Sequence, residues 1–421
     1  MSSLKELLQN QAEYEARLRI KDPSISLDAL ATRYQALTEC KKTLETHQAQ
    51  MNATAKQIGQ KKQKGEDASA LIQEMSTLKT TIAELEAQLP ELENAVHTLY
   101  ENLPNPPDAD VPTSLNPEDN VCVRTVGPKP TFDFPVKNHL QLNEQLDLFD
   151  FQRGAKVTGS GWPIYKGLGA QLEWALLQLM FDTHIQNGYL PIFPPLLVKE
   201  EVMQGAGQLP KFASQIYNLG GRDSHLYMIP TSEVPLCGMH YDEILPEENL
   251  PLHYVAYSPC FRREAGAAGV GERGLIRMHQ FNKVELFAVT TEAQAEDAFE
   301  KMVASAEHIL SLLGLHYRVM LLCAGDLGFH SAKTFDIEVY LPGQDRYYEV
   351  SSISHCRTFQ AQRSKIRTKA KGDKKSRFVH TLNGSGLATP RLMVALLETY
   401  QTASGQIRIP DALKKYLPQL G

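Results

Sequence analysis

No stretch of this 421-residue chain approaches the roughly 20 apolar residues that a membrane-spanning helix needs. Runs such as Ala175 to Phe181 are far shorter. The first twenty residues hold no apolar segment but carry Lys5, Glu6, Glu13, Glu15, Arg17 and Arg19, so no secretory signal peptide is expected. No CxxC pair exists. The six cysteines (40, 122, 237, 260, 323 and 356) are scattered, which argues against a disulfide scaffold and for a reducing compartment. His355 and Cys356 adjoin, but two donors do not make a zinc site, so no zinc is expected. GxxxxGK[ST] is absent, which excludes a P-loop. Positive charge is not in excess either: 43 Lys and Arg face 49 Asp and Glu, a net −6. Nucleic acid could be held only through local basic patches. These absences predict a cytoplasmic protein with no membrane partner.

What is present suits a folded chain of two domains: hydrophobic residues make up 42% and charged residues 22%. The first hundred residues carry a pattern the rest lacks. Leu30, Leu37, Leu44, Met51 and Ile58 fall at seven-residue intervals. Leu71, Met75, Leu78, Ile82, Leu85, Leu89, Leu92, Val96 and Leu99 alternate spacings of four and three. Both are coiled-coil seams. The polar stretch GQKKQKGEDAS (59–69) between them reads as a turn, which predicts an antiparallel hairpin of helices roughly 50 Å long. Pro90 interrupts the second run; because the apolar register continues past it, a kink is expected rather than an end. Lys56, Lys61, Lys62 and Lys64 cluster at the tip. A basic tip on a lever suits a phosphate backbone; a dimerising coiled coil with a solvated turn is the competing reading.

The proline-rich LPNPPDADVP (103–112) marks a linker. The expected division is an arm over 1–103, a linker over 104–130 and a second domain over 131–421. There, β-like runs (189–198, 253–262, 275–287, 337–341, 347–351) alternate with amphipathic helices (168–185, 292–313, 390–402). Several strands follow one another without an intervening helix. That predicts an α+β fold on an antiparallel sheet flanked by helices.

Chemistry-bearing residues gather in YSPCFRREAGAAGVGERGLIRMHQF (257–281), read as strand, Gly/Ala-rich loop and return strand. Arg262 and Glu264 lie two apart, Arg277 and Phe281 four apart, which predicts one common face for each pair. An arginine fork suits phosphate, a carboxylate accepts from an adenine amino group, and a ring stacks on a base. Gly269, Gly271 and Gly274 match GxGxxG, but strand-like sequence follows instead of a helix, so a dinucleotide fold is rejected. NGSGLATPRLMVALLE (383–398) reads as a glycine-rich entry into a helix with Arg391 in its first turn, an anion site. AQRSKIRTKAKGDKKSR (361–377) holds eight basic residues and one acid; both attraction of a phosphate backbone and a solubilising loop fit it. For His279, between Arg277 and Phe281, structural packing is expected.

Together these segments resemble the three signature motifs of class II aminoacyl-tRNA synthetases: GYLPIFPPLLV (188–198), FRRE (261–264) with RMHQF (277–281), and GSGLATPR (384–391). GQLPKF (207–212), TSEVPL (231–236), GLIRMHQFNKVELF (274–287) and HTLNGSGLA (380–388) are similar to seryl-tRNA synthetases, as is the arm followed by prolines. The resemblance implies a class II catalytic domain that activates L-serine with ATP and Mg²⁺ and loads tRNA(Ser). It also implies a homodimer through the first motif; tRNA(Sec) is a second acceptor to test. Carried over by position, Thr231, Ser232, Glu233, Arg262, Glu285, Asn383 and Ser385 would bind serine. Arg262, Arg263, Glu264, Phe281, Glu349, Val350, Ser351, Ser352 and Arg391 would bind ATP, with Glu349 and Ser352 on Mg²⁺. Arg262, Arg391 and Glu349 would be catalytic, and the four tip lysines would meet tRNA. His355, Thr358 and Gln362 stand where the family more usually shows Asn, Asp and Arg, and the N-terminus is expected to lack the usual opening helix. Two rivals are an adenylate-forming paralogue that loads a carrier protein and a catalytically dead adaptor. The complete arm argues against the first, and the retained Arg262, Glu264, Glu285, Glu349 and Arg391 against the second.

Overall fold

A computed structural model describes residues 4–264 and 274–417. The chain forms two compact units that part between Pro104 and Asn105.

The first unit is helical: α1 (Leu4–Gln9), α2 (Gln11–Lys21), α3 (Asp28–Gln63) and α4 (Ser69–Glu101). Leu30, Leu37, Leu44, Leu78, Ile82 and Val96 are buried along the long pair, while the residues between them are mostly exposed. A narrow apolar stripe has only the facing helix to cover it, which is why the seven-residue spacing was sufficient to find the hairpin. Lys41 pairs with Glu93 at 2.7 Å, and the Gln50 amide donates to Glu74 at 3.0 Å, so the helices run antiparallel. The helix runs through Pro90, which is exposed. The expectation of no opening helix was wrong: α1 and α2 fill that segment and bury Leu7, Tyr14 and Leu18.

The second unit is built on an eight-stranded sheet: β1 (Val121–Val126), β2 (Leu190–Ile192), β3 (Leu252–Phe261), β4 (Gln280–Thr290), β5 (Tyr317–Leu321), β6 (Lys333–Leu341), β7 (Arg346–His355) and β8 (His380–Ala388). Their order is β1-β5-β6-β7-β8-β4-β3-β2. Every pairing is antiparallel except β2 with β3. Helices α5 (Leu168–Gln186), α6 (Ala295–Leu312) and α7 (Thr389–Thr399) pack on it around Leu176, Met180, Phe299, Leu286 and Leu396. The stretch read as a linker differs from expectation. β1 pairs with β5, the Asn105 amide donates to the carbonyls of His330 and Cys356, and Asp108 binds Arg357 at 2.7 Å. Its prolines stop the preceding helix, while its polar side chains satisfy buried backbone groups of the sheet unit.

Candidate active site

Two adjoining cavities lie over the central strands. One, of 470 Å³, is lined by Thr231, Glu233, Glu285, Ser352 and Asn383, among others. The other, of 300 Å³, is lined by Phe281, Val350, Ala388 and Arg391. Arg262, Glu264, Arg277, Lys283, Glu349 and Ser385 line both. Side chains from β4, β7, β8 and the first turn of α7 thus converge on one double-lobed space.

The larger lobe is a buried polar pocket. Strand alternation along β4 turns Phe281, Lys283 and Glu285 to the same side. The Lys283 ammonium lies 2.5 Å from Glu285 Oε2 and donates to Thr231 Oγ1 at 2.8 Å. Thr231 donates in turn to Glu285 at 3.0 Å. Burial raises the Glu285 carboxyl, and the Lys283 charge opposes it. Glu233 opens a short helix (Glu233–Gly238), and its Oε1 meets Gln360 Nε2 at 2.6 Å and His330 Nε2 at 3.3 Å. Burial pushes Glu233 up to about 7, against the pull of Lys283, Gln360 and Arg262. The Asn383 amide donates to the Cys356 thiol at 3.3 Å, which fixes its wall of the pocket. Reading by motif missed Lys283 and His330. For Lys283 the signal was present: in FNKVELF it alternates with Phe281 and Glu285.

The smaller lobe places Arg262 over the Phe281 ring at 5.2 Å. Arg391 reaches in from α7, donating to the Glu349 carbonyl at 2.8 Å and lying 3.6 Å from its carboxylate. Glu349 and Ser352 both line the larger lobe although they stand three apart, which regular strand geometry would set on opposite faces. The register shows why: Ser351 pairs with Ile337 and Glu349 with Glu338, leaving Val350 as an extra, bulged residue. Across from Ser352 stands Asp336, half-buried, with one buried carboxylate oxygen unpartnered. Burial and the nearby Glu349 raise its pKa. Glu349, Ser352 and Asp336 offer oxygen donors only, the chemistry Mg²⁺ takes. Among the described residues no three His, Cys, Asp or Glu side chains form a metal cage, so an ion here would need further ligands from a bound phosphate.

Several of the expected residues are placed differently from the sequence reading. The Ser232 hydroxyl donates to Ser258 at 2.6 Å, and its side chain lines neither lobe. Ser351 is likewise turned away, donating to the Ser385 carbonyl at 2.6 Å. Arg263 stacks on Tyr217 at 5.2 Å, outside both lobes. Strand β3 ends at Phe261 and β4 begins at Gln280, so alternation does not place Arg262, Glu264 or Arg277. Glu264 takes a left-handed backbone (φ 49°) that turns its carboxylate to Arg277 at 2.6 Å. The glycines of NGSG sit inside β8, not in a helix-capping loop. A Cβ on Gly386 would lie 2.5 Å from His184 Nε2, so close approach explains that glycine. His279 packs as expected, stacked on Trp162 at 5.5 Å. Residues 265–273 of the expected Gly/Ala-rich segment, with Gly269 and Gly271, lie outside the described residues.

With that geometry in place, comparison with known proteins identifies the family. Residues 217–400 match the tRNA synthetase class II core domain (G, H, P, S and T), and residues 1–107 match the seryl-tRNA synthetase N-terminal domain. Serine–tRNA ligases of Chlamydia pneumoniae and Chlamydia felis are 48% and 49% identical over 99% of this chain and 97% and 98% of their own. The chain belongs to the seryl-tRNA synthetase family. Among solved family members, the ATP complex of the Pyrococcus horikoshii enzyme superposes with a TM-score of 0.92 at 35% identity, covering 99% of this chain and 98% of that one. The AMP complex from Naegleria fowleri gives 0.84 at 25% identity, covering 99% and 95%. The seryl-tRNA synthetase N-terminal match begins at residue 1, which includes α1 and α2.

Proposed function

We propose that this chain is a serine–tRNA ligase that forms seryl-adenylate from L-serine and ATP and transfers the seryl group to tRNA(Ser). The observation that carries this reading is the shared wall. Arg262 borders both lobes, with Glu285 lining one and Arg391 lining the other. Serine's hydroxyl would be accepted by Glu285, its ammonium by Glu233 and Thr231, and its carboxylate by Arg262. Adenine would stack on Phe281 beside Glu264, and Arg391 would hold the terminal phosphate. A pocket built to hydrogen-bond a hydroxyl rejects alanine, because alanine leaves buried polar groups unpaired.

In the first step a serine carboxylate oxygen attacks the α-phosphorus. The new C–O–P bond forms as the Pα–O bond to pyrophosphate breaks, and pyrophosphate leaves with the electron pair. In the second, a terminal ribose hydroxyl of tRNA attacks the acyl carbon; the acyl C–O bond to the phosphate breaks, AMP leaves with that electron pair, and the hydroxyl proton is released to the AMP phosphate or to water. No protein nucleophile is required; Arg262 and Arg391 supply position and countercharge. Glu349 and Ser352, with Asp336 behind, would hold Mg²⁺, which neutralises phosphate charge when bound. Arg262→Ala should abolish serine-dependent ATP–pyrophosphate exchange; an unimpaired variant removes the assignment.

Other parts of the reading have their own support. Lys56, Lys61, Lys62 and Lys64 are all exposed near the end of α3, a surface fit for tRNA phosphates. Around the first motif, Phe193 is 83% exposed and Leu190 and Trp174 58% each, an apolar patch that a second copy would cover in a homodimer. All six cysteines are free, and no described helix is long and apolar enough to cross a membrane, in keeping with a cytoplasmic site of action. The carrier-loading and inactive-adaptor readings are not favoured. The matched ligases align over 99% of this chain, arm and catalytic unit alike, and Arg262, Glu264 and Glu349 all line the lobes.

A further inference from the structure

We propose that Glu173 is a positioning residue that sets the nucleotide lobe by tying the Phe281 strand to the Arg391 helix. Glu173 lies on α5, 6% exposed, and belongs to neither lobe. Its Oε1 accepts from Asn282 Nδ2 at 2.8 Å and from Thr389 Oγ1 at 2.5 Å. Asn282 follows Phe281 on β4, and Thr389 stands two residues before Arg391 at the start of α7. Thr389 also reaches the Asn282 carbonyl at 3.1 Å. One buried carboxylate oxygen therefore holds together the two elements that carry the ring and the guanidinium.

The chain of bonds continues outward. Asn282 Oδ1 accepts from the Tyr257 hydroxyl at 3.2 Å. The Tyr257 ring lies 6.2 Å from Trp174 and 6.4 Å from Phe193, at the exposed aromatic patch. Asn282 is thus gripped on both ends of its amide, which fixes its orientation and the direction in which β4 presents Phe281. A further cavity, of 230 Å³, lies behind that ring and is lined by Phe281, Asn282 and Glu173. Phe281 borders open space in both cavities and is only partly packed against the core, so its position depends on the strand that Asn282 helps to hold.

The inference rests on the reading of Phe281 and Arg391 as ATP-binding groups, and the test separates the two. ATP–pyrophosphate exchange by the full chain is measured against ATP and serine in turn, for Tyr257→Phe, Thr389→Val, Glu173→Ala and Glu173→Gln, with Arg391→Ala as reference. Tyr257→Phe and Thr389→Val each delete one hydroxyl at nearly constant shape, so they report even if Glu173→Ala fails to fold. Each should raise KM for ATP about 5- to 10-fold, the worth of one hydrogen bond, with KM for serine changed less than about 2-fold. Glu173→Gln, which retains an acceptor oxygen, should recover most of the loss seen in Glu173→Ala. The Tyr257→Phe/Thr389→Val pair should be non-additive, since both act through Asn282. A fall in active fraction without a rise in KM for ATP, or equal rises for both substrates, would overturn the proposal. If Arg391→Ala itself leaves KM for ATP unchanged, it is the nucleotide reading that fails.

Discussion

Deleting the Lys283 ammonium would strand Glu285, which is 1% exposed, without its counter-ion. Lys283→Met should therefore destabilise the fold by about 3–5 kcal/mol, the usual cost of removing one partner from a buried pair. Denaturant unfolding checks this. Lys283→Met/Glu285→Gln should regain much of that stability, because the orphan charge is gone, yet not serine-dependent exchange. Glu233 yields a pH prediction. Burial lifts it from an ordinary 4.5 to about 7, so the fold favours the neutral acid. The stability it contributes is present below pH 4.5 and is lost as pH rises towards 7, and Glu233→Gln should be the more stable protein at pH 8 by about 3 kcal/mol. Serine binding has the opposite demand, since its ammonium wants the ionised carboxylate. KM for serine should accordingly climb as pH falls below about 7, and a flat profile between pH 6 and 8 would remove Glu233 from that role.

Among the elements, the second helix of the arm and the bulged strand β7 show how local rules bend. Pro90 lacks the amide that would bond one turn back, yet α4 continues, held by the seam it shares with α3. Pro90→Ala should stabilise the arm by up to about 3 kcal/mol, visible as slower hydrogen exchange in α4; unchanged exchange would mean the seam absorbs the whole cost. In β7 the single extra residue Val350 decides which way Glu349 points. Alternation counted along the sequence cannot foresee that, because a bulge is set by the register of the neighbouring strand. For the same reason the helices at 168–185 and 292–313 were legible from periodicity, whereas the segment 275–279 read as strand was not. Its Leu275 amide donates to the His139 ring and its His279 amide to the Gly161 carbonyl, and among the described residues only the His279 carbonyl, which accepts from the Arg262 amide, meets the end of the neighbouring strand.

For the whole molecule, the exposed patch and the basic tip give tests of assembly and of RNA binding. For the proposed homodimer, Phe193→Asp should shift the sedimenting species from dimer to monomer, because a charge there would have to be buried against its copy, and a variant that sediments like the parent chain removes the patch from that role. Replacing the four tip lysines by alanine should weaken tRNA binding. It should also flatten the salt dependence by about 0.7–0.9 in log–log slope for each phosphate that is no longer neutralised. A slope that does not move would return the tip to the reading of a solvated turn.

The arm, its antiparallel turn and the residue types of the two lobes could be read directly from the chain, because short-range repeats and compact motifs carry them. Where those side chains point was settled only in three dimensions. Ser232 and Ser351 spend their hydroxyls on Ser258 and on the Ser385 carbonyl, Arg263 found Tyr217, and Lys283 and Glu173 gained their importance from groups distant in sequence. A buried polar atom must be satisfied by whatever the fold brings near it, and that partner is a property of packing, not of order along the chain.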